Sequence, residues 1–244
     1  MDFNNKKLEY VLLDNTHPAF IKEDILYTGI KPYVNETSFS ELKKWRVLFG
    51  FNFNRGIKKT SYLLPKSYQE NLYGFSLLSY NYCINEKGNL VLSFTADTNI
   101  YETNLADYHA SYYGKSRYQT SDIPPVSIEA IKRDQTAKEL RLRDSYGSIY
   151  YDPFNKRYLR LARQKISETE YQAKSEDKKQ TIIIFDENFK IISEPEFTGT
   201  FSFNSIFFTA DGQIYARVNS KDEYALHFVR LSYSESSNTR LTKN

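Results

Sequence analysis

The chain has one cysteine, one methionine and one tryptophan, with only nine glycines and seven prolines among its 244 residues. A lone Cys83 excludes an intramolecular disulfide framework and any multi-cysteine metal site. No apolar run approaches the ~18 residues of a membrane-spanning helix. The opening stretch from Met1 to Lys7 has no apolar core, so it does not read as a secretory leader. Neither charge sign dominates: 33 basic and 30 acidic side chains leave a net charge of +3. Nucleic acid, which takes a concentrated basic stripe, is not an expected partner. The sequence contains no Gly-Xaa-Ser-Xaa-Gly, no His-Glu-Xaa-Xaa-His, no phosphate loop and no dinucleotide fingerprint.

What the chain does have is aromatic residues, 21 Tyr and 17 Phe. Rigid rings suit a pleated, half-buried surface, where they pack across neighbouring strands. Mean hydropathy is −0.61 although 40% of residues are apolar. That combination fits strands with polar outward faces and predicts a mostly β protein.

Three segments share one hairpin grammar. In the first, Tyr82–Ile84 and Leu90–Phe94 flank the turn Asn85-Glu86-Lys87-Gly88-Asn89. In the second, Ser148–Tyr151 and Arg157–Leu161 flank Asp152-Pro153-Phe154-Asn155-Lys156. In the third, Ser205–Phe208 and Ile214–Val218 flank Thr209-Ala210-Asp211-Gly212-Gln213. Gly88 and Gly212 supply the positive φ of tight turns, and Asn155 is expected to do so in the second. A fourth hairpin is read from Trp45–Phe53 through Asn54-Arg55-Gly56 to Leu64, and a fifth from Thr181–Phe185 to Lys190–Ser193. The unbroken apolar run of the fifth predicts burial on both faces. Asn99–Thr103 and Leu226–Leu231 read as single strands. Successive turns lie roughly 55–70 residues apart, longer than the ~40–50 of common propeller blades. That leaves room for four strands and a long loop per unit, as in a β-propeller.

Helix signals are few. Asp134 to Leu142 predicts a short helix capped by Asp134. Ser38-Phe39-Ser40-Glu41 matches a capping box, or else leads straight into the Trp45 strand. Ser167 to Lys179 lacks apolar periodicity and reads as an exposed loop, and residues 234–244 as a frayed tail.

Several stretches resemble a family of bacterial six-bladed, TolB-like propeller proteins of unknown function, usually predicted lipoproteins. They are Leu64–Tyr68, Asn85–Phe94 with Ile100 and Tyr101, and above all Tyr146–Arg160 with its Tyr-Asp-Pro-Phe-Asn-Lys turn. The resemblance runs from Leu64 to Leu231. It implies one propeller-like domain over 1–244, with four-stranded antiparallel blades and residues 1–63 as an N-terminal blade or part of one. The chain is shorter than the family's, so fewer than six blades or an incomplete ring is expected. The resemblance also implies a periplasmic or cell-surface location, with a lipid anchor upstream of this chain. A natural start at Met1 would instead imply the cytoplasm. No cofactor and no catalytic residue comes with the family.

The residues themselves offer one candidate site, the aromatic and polar run Tyr108 to Tyr118. Its Tyr108, His109, Tyr112, Tyr113, Lys115, Arg117 and Tyr118 read as a loop on which rings stack against a small molecule, sugar or peptide and cations hold polar ends. His17 and His227 lie in unlike contexts, and Cys83 reads as a small buried hydrophobe. Three function classes remain open. The first is a non-enzymatic binding or scaffold propeller. The second is a glycan- or peptide-processing enzyme, which needs two carboxylates (Asp97 and Asp122 are candidates) facing one cleft within about 5–10 Å. The third is a structural module pairing through an open blade edge.

Overall fold

A computed structural model describes residues 9–32, 35–174, 178–197, 201–222, 224–233 and 241–243. Among the described residues the chain is mostly β: four antiparallel sheets with a few short helices and no closed barrel. It divides into two compact units, Met1–Ser79 with Pro124–Leu140, and Tyr80–Ile123 with Arg141–Asn244.

The smaller unit carries one sheet, formed by β1 (Glu9–Leu12), β2 (Phe20–Lys22), β3 (Ile25–Pro32), β4 (Arg46–Asn52) and β5 (Ile57–Leu63). The order is β1-β3-β4-β5, with β2 folded back on β3. Both readings of Ser38 hold in part: α1 (Phe39–Leu42) forms, and β4 follows it directly. The capping box is not made, because Glu41 Oε2 instead accepts the Asn35 N–H and the Ser38 side chain caps nothing. Helices α2 (Lys66–Glu70), α3 (Gly74–Leu77), α4 (Ile128–Lys132) and α5 (Thr136–Arg141) complete the helical part of this segment. The expected helix over 134–142 is therefore the second of a pair. Asp134 is not its cap but the left-handed corner between the two, at φ 54°.

The larger unit holds three sheets, each a meander in chain order. The first is β6 (Tyr80–Ile84), β7 (Leu90–Phe94), β8 (Asn99–Thr103) and β9 (His109–Tyr113). The second is β10 (Ser145–Asp152), β11 (Arg157–Arg163), β12 (Gln180–Phe185) and β13 (Ile191–Ser193), with β14 (Glu196–Phe197) also on β12. The third is β15 (Phe201–Phe208), β16 (Ile214–Val218), β17 (His227–Tyr233) and β18 (Leu241–Lys243). The opening strand β10 lies against the opening strands β6 and β15 of its neighbours, the blade-like arrangement expected.

All five predicted hairpins form. Three share one turn, in which residue i accepts from the N–H of i+3 and donates to the carbonyl of i+4: Asn85, Asp186 and Thr209. The i+3 position has positive φ, at Gly88 (70°), Phe189 (61°) and Gly212 (79°). An oxygen on the first side chain folds the turn, as when Asn85 Oδ1 accepts from Lys87 and Asn89 N–H. In the second hairpin Asp152 plays that part, but Lys156, not Asn155, takes the left-handed backbone.

Two expectations are corrected. Ser167–Lys179 is not simply a loop: α6 (Glu168–Gln172) forms there behind a complete Ser167/Glu170 capping box. The helix has no buried residue, which explains its missing apolar stripe. Leu241–Lys243 is not frayed but pairs with β17, while 234–240 and 244 lie outside the described residues.

Apolar cores fill the space between sheets. Ile182, Ile184, Leu159 and Leu161 meet Phe203, Ile206, Ile214, Ala216, Val229 and Leu231 between the second and third sheets. Each such aliphatic chain is worth about 1.5–3 kcal/mol when buried. As predicted, Thr181–Phe185 is buried on both faces. Between the first and second sheets lies Arg160, fully buried. Its Nε donates to Ser93 Oγ at 2.9 Å, Nη1 to the carbonyls of Thr98 and Gly114 at 2.7 and 3.1 Å, and Nη2 to that of Asp97 at 2.6 Å. The guanidinium lies over the Tyr146 ring, 3.7 Å from its centroid.

Candidate functional site

The run Tyr108 to Tyr118 is not one loop. His109–Tyr113 is the edge strand β9, so its side chains alternate between two faces. Tyr108 and Tyr112 both donate to Glu102 Oε2, at 2.8 and 3.1 Å, and their hydroxyls lie 2.8 Å apart. Asn85 and Asn89 donate to the other oxygen, Oε1. Burial raises the Glu102 pKa, but these four hydrogen bonds outweigh it and hold the carboxyl below its ordinary range. Tyr112 is further fixed by stacking on Phe189 at 4.1 Å.

On the opposite face, His109 stacks on Tyr101 at 5.9 Å and Tyr113 is exposed. Lys115 pairs with Asp122 at 3.6 Å. The Arg117 guanidinium folds over the Tyr118 ring, while its backbone N–H donates to Glu194 Oε2 at 2.8 Å. Glu194 is buried and also accepts from Ser116 and Thr181. The seven residues thus divide among two strand faces and a turn.

The other candidates are equally occupied. Asp97 is buried and accepts from Asn99 N–H and Tyr101 Oη, whereas Asp122 stands exposed beside Lys115. His17 bonds Asp14 at 3.0 Å and His227 bonds Asp222 at 3.1 Å. Cys83 is buried, and burial pushes its thiol well above the ordinary range. Among the described residues no group of three His, Cys, Asp or Glu is placed to hold a metal ion.

A concave site does exist elsewhere in the larger unit. A cleft of about 380 Å³ opens at the turn ends of the second and third sheets, lined by Asn155, Arg157, Gly212, Gln213, Arg230 and Ser232 among others. Asn155 and Arg157 come from the Tyr-Asp-Pro-Phe-Asn-Lys hairpin, Gly212 and Gln213 from the Thr209 turn, and Arg230 and Ser232 from β17. Register puts Arg157 directly opposite Asp152. An ion pair would be the simple expectation, but Asp152 is already taken. Its oxygens accept from the N–H groups of Phe154 and Asn155, from Asn155 Nδ2 and from Tyr233 Oη. Arg157 instead lies over the Tyr233 ring at 4.4 Å.

Two buried atoms are left over here: Arg157 Nη1 and Gln213 Oε1 have no hydrogen-bond partner among the described residues. A buried polar group left unbonded costs about 1–3 kcal/mol, so such atoms call for a physical explanation. The sequence marked the turn as distinctive, but nothing in it showed that Tyr233, 76 positions beyond Arg157, would take the Asp152 carboxylate.

A family model described as a domain of unknown function, DUF4221, matches residues 2–196. The chain belongs to the DUF4221 family. The DUF4221 match ends within β14, so the third sheet lies beyond it. Among solved structures, a DUF4221 member from Bacteroides vulgatus aligns with a TM-score of 0.70 at 20% identity, over 93% of this chain and 64% of its own. That likeness establishes a shared fold, and this DUF4221 chain spans just under two thirds of its relative's length. Virginiamycin B lyase from Staphylococcus aureus aligns over 98% of this chain and 73% of its own, at 12% identity and a TM-score of 0.34. No curated protein matches the chain.

Proposed function

We propose that this chain is a non-enzymatic binding domain of propeller type that acts outside the cytoplasm, with the turn-end cleft of the larger unit as its binding site. The cleft carries the reading. Its lining brings together two arginines, Arg157 and Arg230, with Asn155, Gln213 and Ser232. Arginine stays protonated throughout the physiological range, so it holds an anion well but relays a proton poorly. Ser232 is the one hydroxyl nucleophile of the lining beside Tyr233, and no histidine or carboxylate stands in the lining to activate it. The extracytoplasmic setting draws on the resemblance to predicted lipoproteins.

An array of glycans and peptides tests the reading. The expected result is retention of some array members by the wild type, with loss on Arg157→Met or Arg230→Gln. Chemical conversion of a retained member, seen by mass spectrometry, would overturn the non-enzymatic part. Cell fractionation with the protein in the cytosol would overturn the location.

A further inference from the structure

We infer that the outer face of the third sheet is a dimerisation surface on which a second copy of this chain seats. The inference goes beyond the binding reading and does not depend on it.

One face of β15, β16 and β17 enters the core: Ile206, Ile214, Ala216, Val229 and Leu231 pack with residues of the second sheet. Cross-strand register gathers Phe207, Tyr215 and Arg230 on the other face, and alternation adds the paired Arg217 and Phe228. A face left to water is expected to be polar. Here three rings meet instead: Phe207 stacks on Tyr215 at 5.6 Å and meets Phe228 edge-on at 5.2 Å. Phe207 and Phe228 are exposed, and so are Leu226 and Tyr224 in the loop that leads into β17. The first and second sheets differ, since every residue of β7 and of β10 is buried.

Composition and charge select the occupant. Aromatic rings beside arginines are the make-up of protein interfaces. Both charge signs stand at the margins. Arg230 and Asp211 interact at the Thr209 turn, and Lys221 and Asp222 are exposed in the loop at the other end. A two-fold axis across the strands lays each end of the face over the opposite end of its copy. Unlike charges then meet at the margins while ring packs on ring. Four strands about 4.8 Å apart and about six residues long present roughly 400 Å². That is half of the ~800 Å² per partner of a stable complex, so the expected dimer is a reversible one.

Sedimentation equilibrium of the full chain from about 1 to about 100 μM tests the inference. The expected result is a reversible rise from 28.7 kDa to twice that mass. Association is expected to weaken at least tenfold in Phe228→Ser and in Leu226→Ser. Leu226 is exposed and lies outside the strands, so its variant is expected to keep the wild-type circular dichroism even if Phe228→Ser does not fold. Arg230 also lines the cleft and is left unchanged. A wild type that stays monomeric throughout overturns the inference. Association that neither folded variant weakens overturns it too, because pairing then runs through another surface such as a strand edge. Growth beyond the dimer does the same, since a two-fold contact of one face with itself closes at two copies.

Discussion

The ring of Phe189 lies 4.1 Å from that of Tyr112 and 4.4 Å from that of Tyr158, within about 20° of parallel to each. Phe189 belongs to the β12–β13 turn and Tyr112 to β9, so this three-ring stack joins the first and second sheets of the larger unit. Phe189 occupies the left-handed turn position that is glycine in two sister hairpins. A side chain there costs about 1–2 kcal/mol of backbone energy, and the stack offsets it.

Phe189→Ala is therefore expected to destabilise by about 3–5 kcal/mol, and Phe189→Gly to recover only the backbone part. Urea unfolding of the pair measures both. A glycine variant as stable as wild type would show that the stack contributes little.

Arg160 is expected to tolerate neither Met nor Lys. Methionine removes the guanidinium donors from Ser93 Oγ and from the carbonyls of Thr98, Gly114 and Asp97 in a buried setting, for a loss of at least about 3 kcal/mol. Lysine keeps the charge but cannot span Ser93 and three carbonyls with one nitrogen. Thermal melts should place both variants well below wild type, with lysine no better than partial rescue.

Two glycines separate backbone strain from packing. Gly74 and Gly88 have nearly equal φ, 71° and 70°. A Cβ at Gly88 meets nothing, so Gly88→Ala is expected to cost only the ~1–2 kcal/mol of the left-handed backbone. A Cβ at Gly74 runs into the Thr136 side chain, so Gly74→Ala should cost clearly more. Gly74→Ala with Thr136→Ser, which removes the clashing methyl, should recover part of the difference, since Ile131 and the Thr136 Cβ still stand 3.2 Å away.

Lys178 makes stability depend on pH. Burial, with help from Arg163 and Arg141 and against Asp144, lowers its pKa to about 7. The unfolded chain, with an ordinary lysine near 10.4, then binds more protons than the folded one above pH 7, so stability rises with pH there. Denaturant titrations between pH 7 and 9 should show a positive slope of up to about 1.4 kcal/mol per pH unit. Lys178→Met should flatten it. An unchanged slope in the variant would assign the effect to other groups, Lys31 with its pKa near 8 foremost.

The β content and the five hairpins were legible because alternation and turn chemistry are local. Asn85 and Gly88 signal the same turn whatever surrounds them. Helices were harder to read. The Ser-Xaa-Xaa-Glu signature occurs at both Ser38 and Ser167, yet only Ser167 makes the box, because Glu41 turns to the Asn35 backbone. The short α2 and α3 have no side-chain caps and span at most five residues, too few to display a period.

The sequence by itself determined the antiparallel meanders, the positions of their turns and strands rich in tyrosine. All of these follow from interactions between residues a few positions apart. Tertiary structure alone decided which polar groups are consumed and which remain. It locked Tyr108 and Tyr112 onto Glu102, and it gave Asp152 to Tyr233. That second bond leaves Arg157 facing a cleft without its cross-strand acid. The Asp152–Tyr233 bond depends on which sheets meet, over a separation of 81 residues that no local pattern encodes.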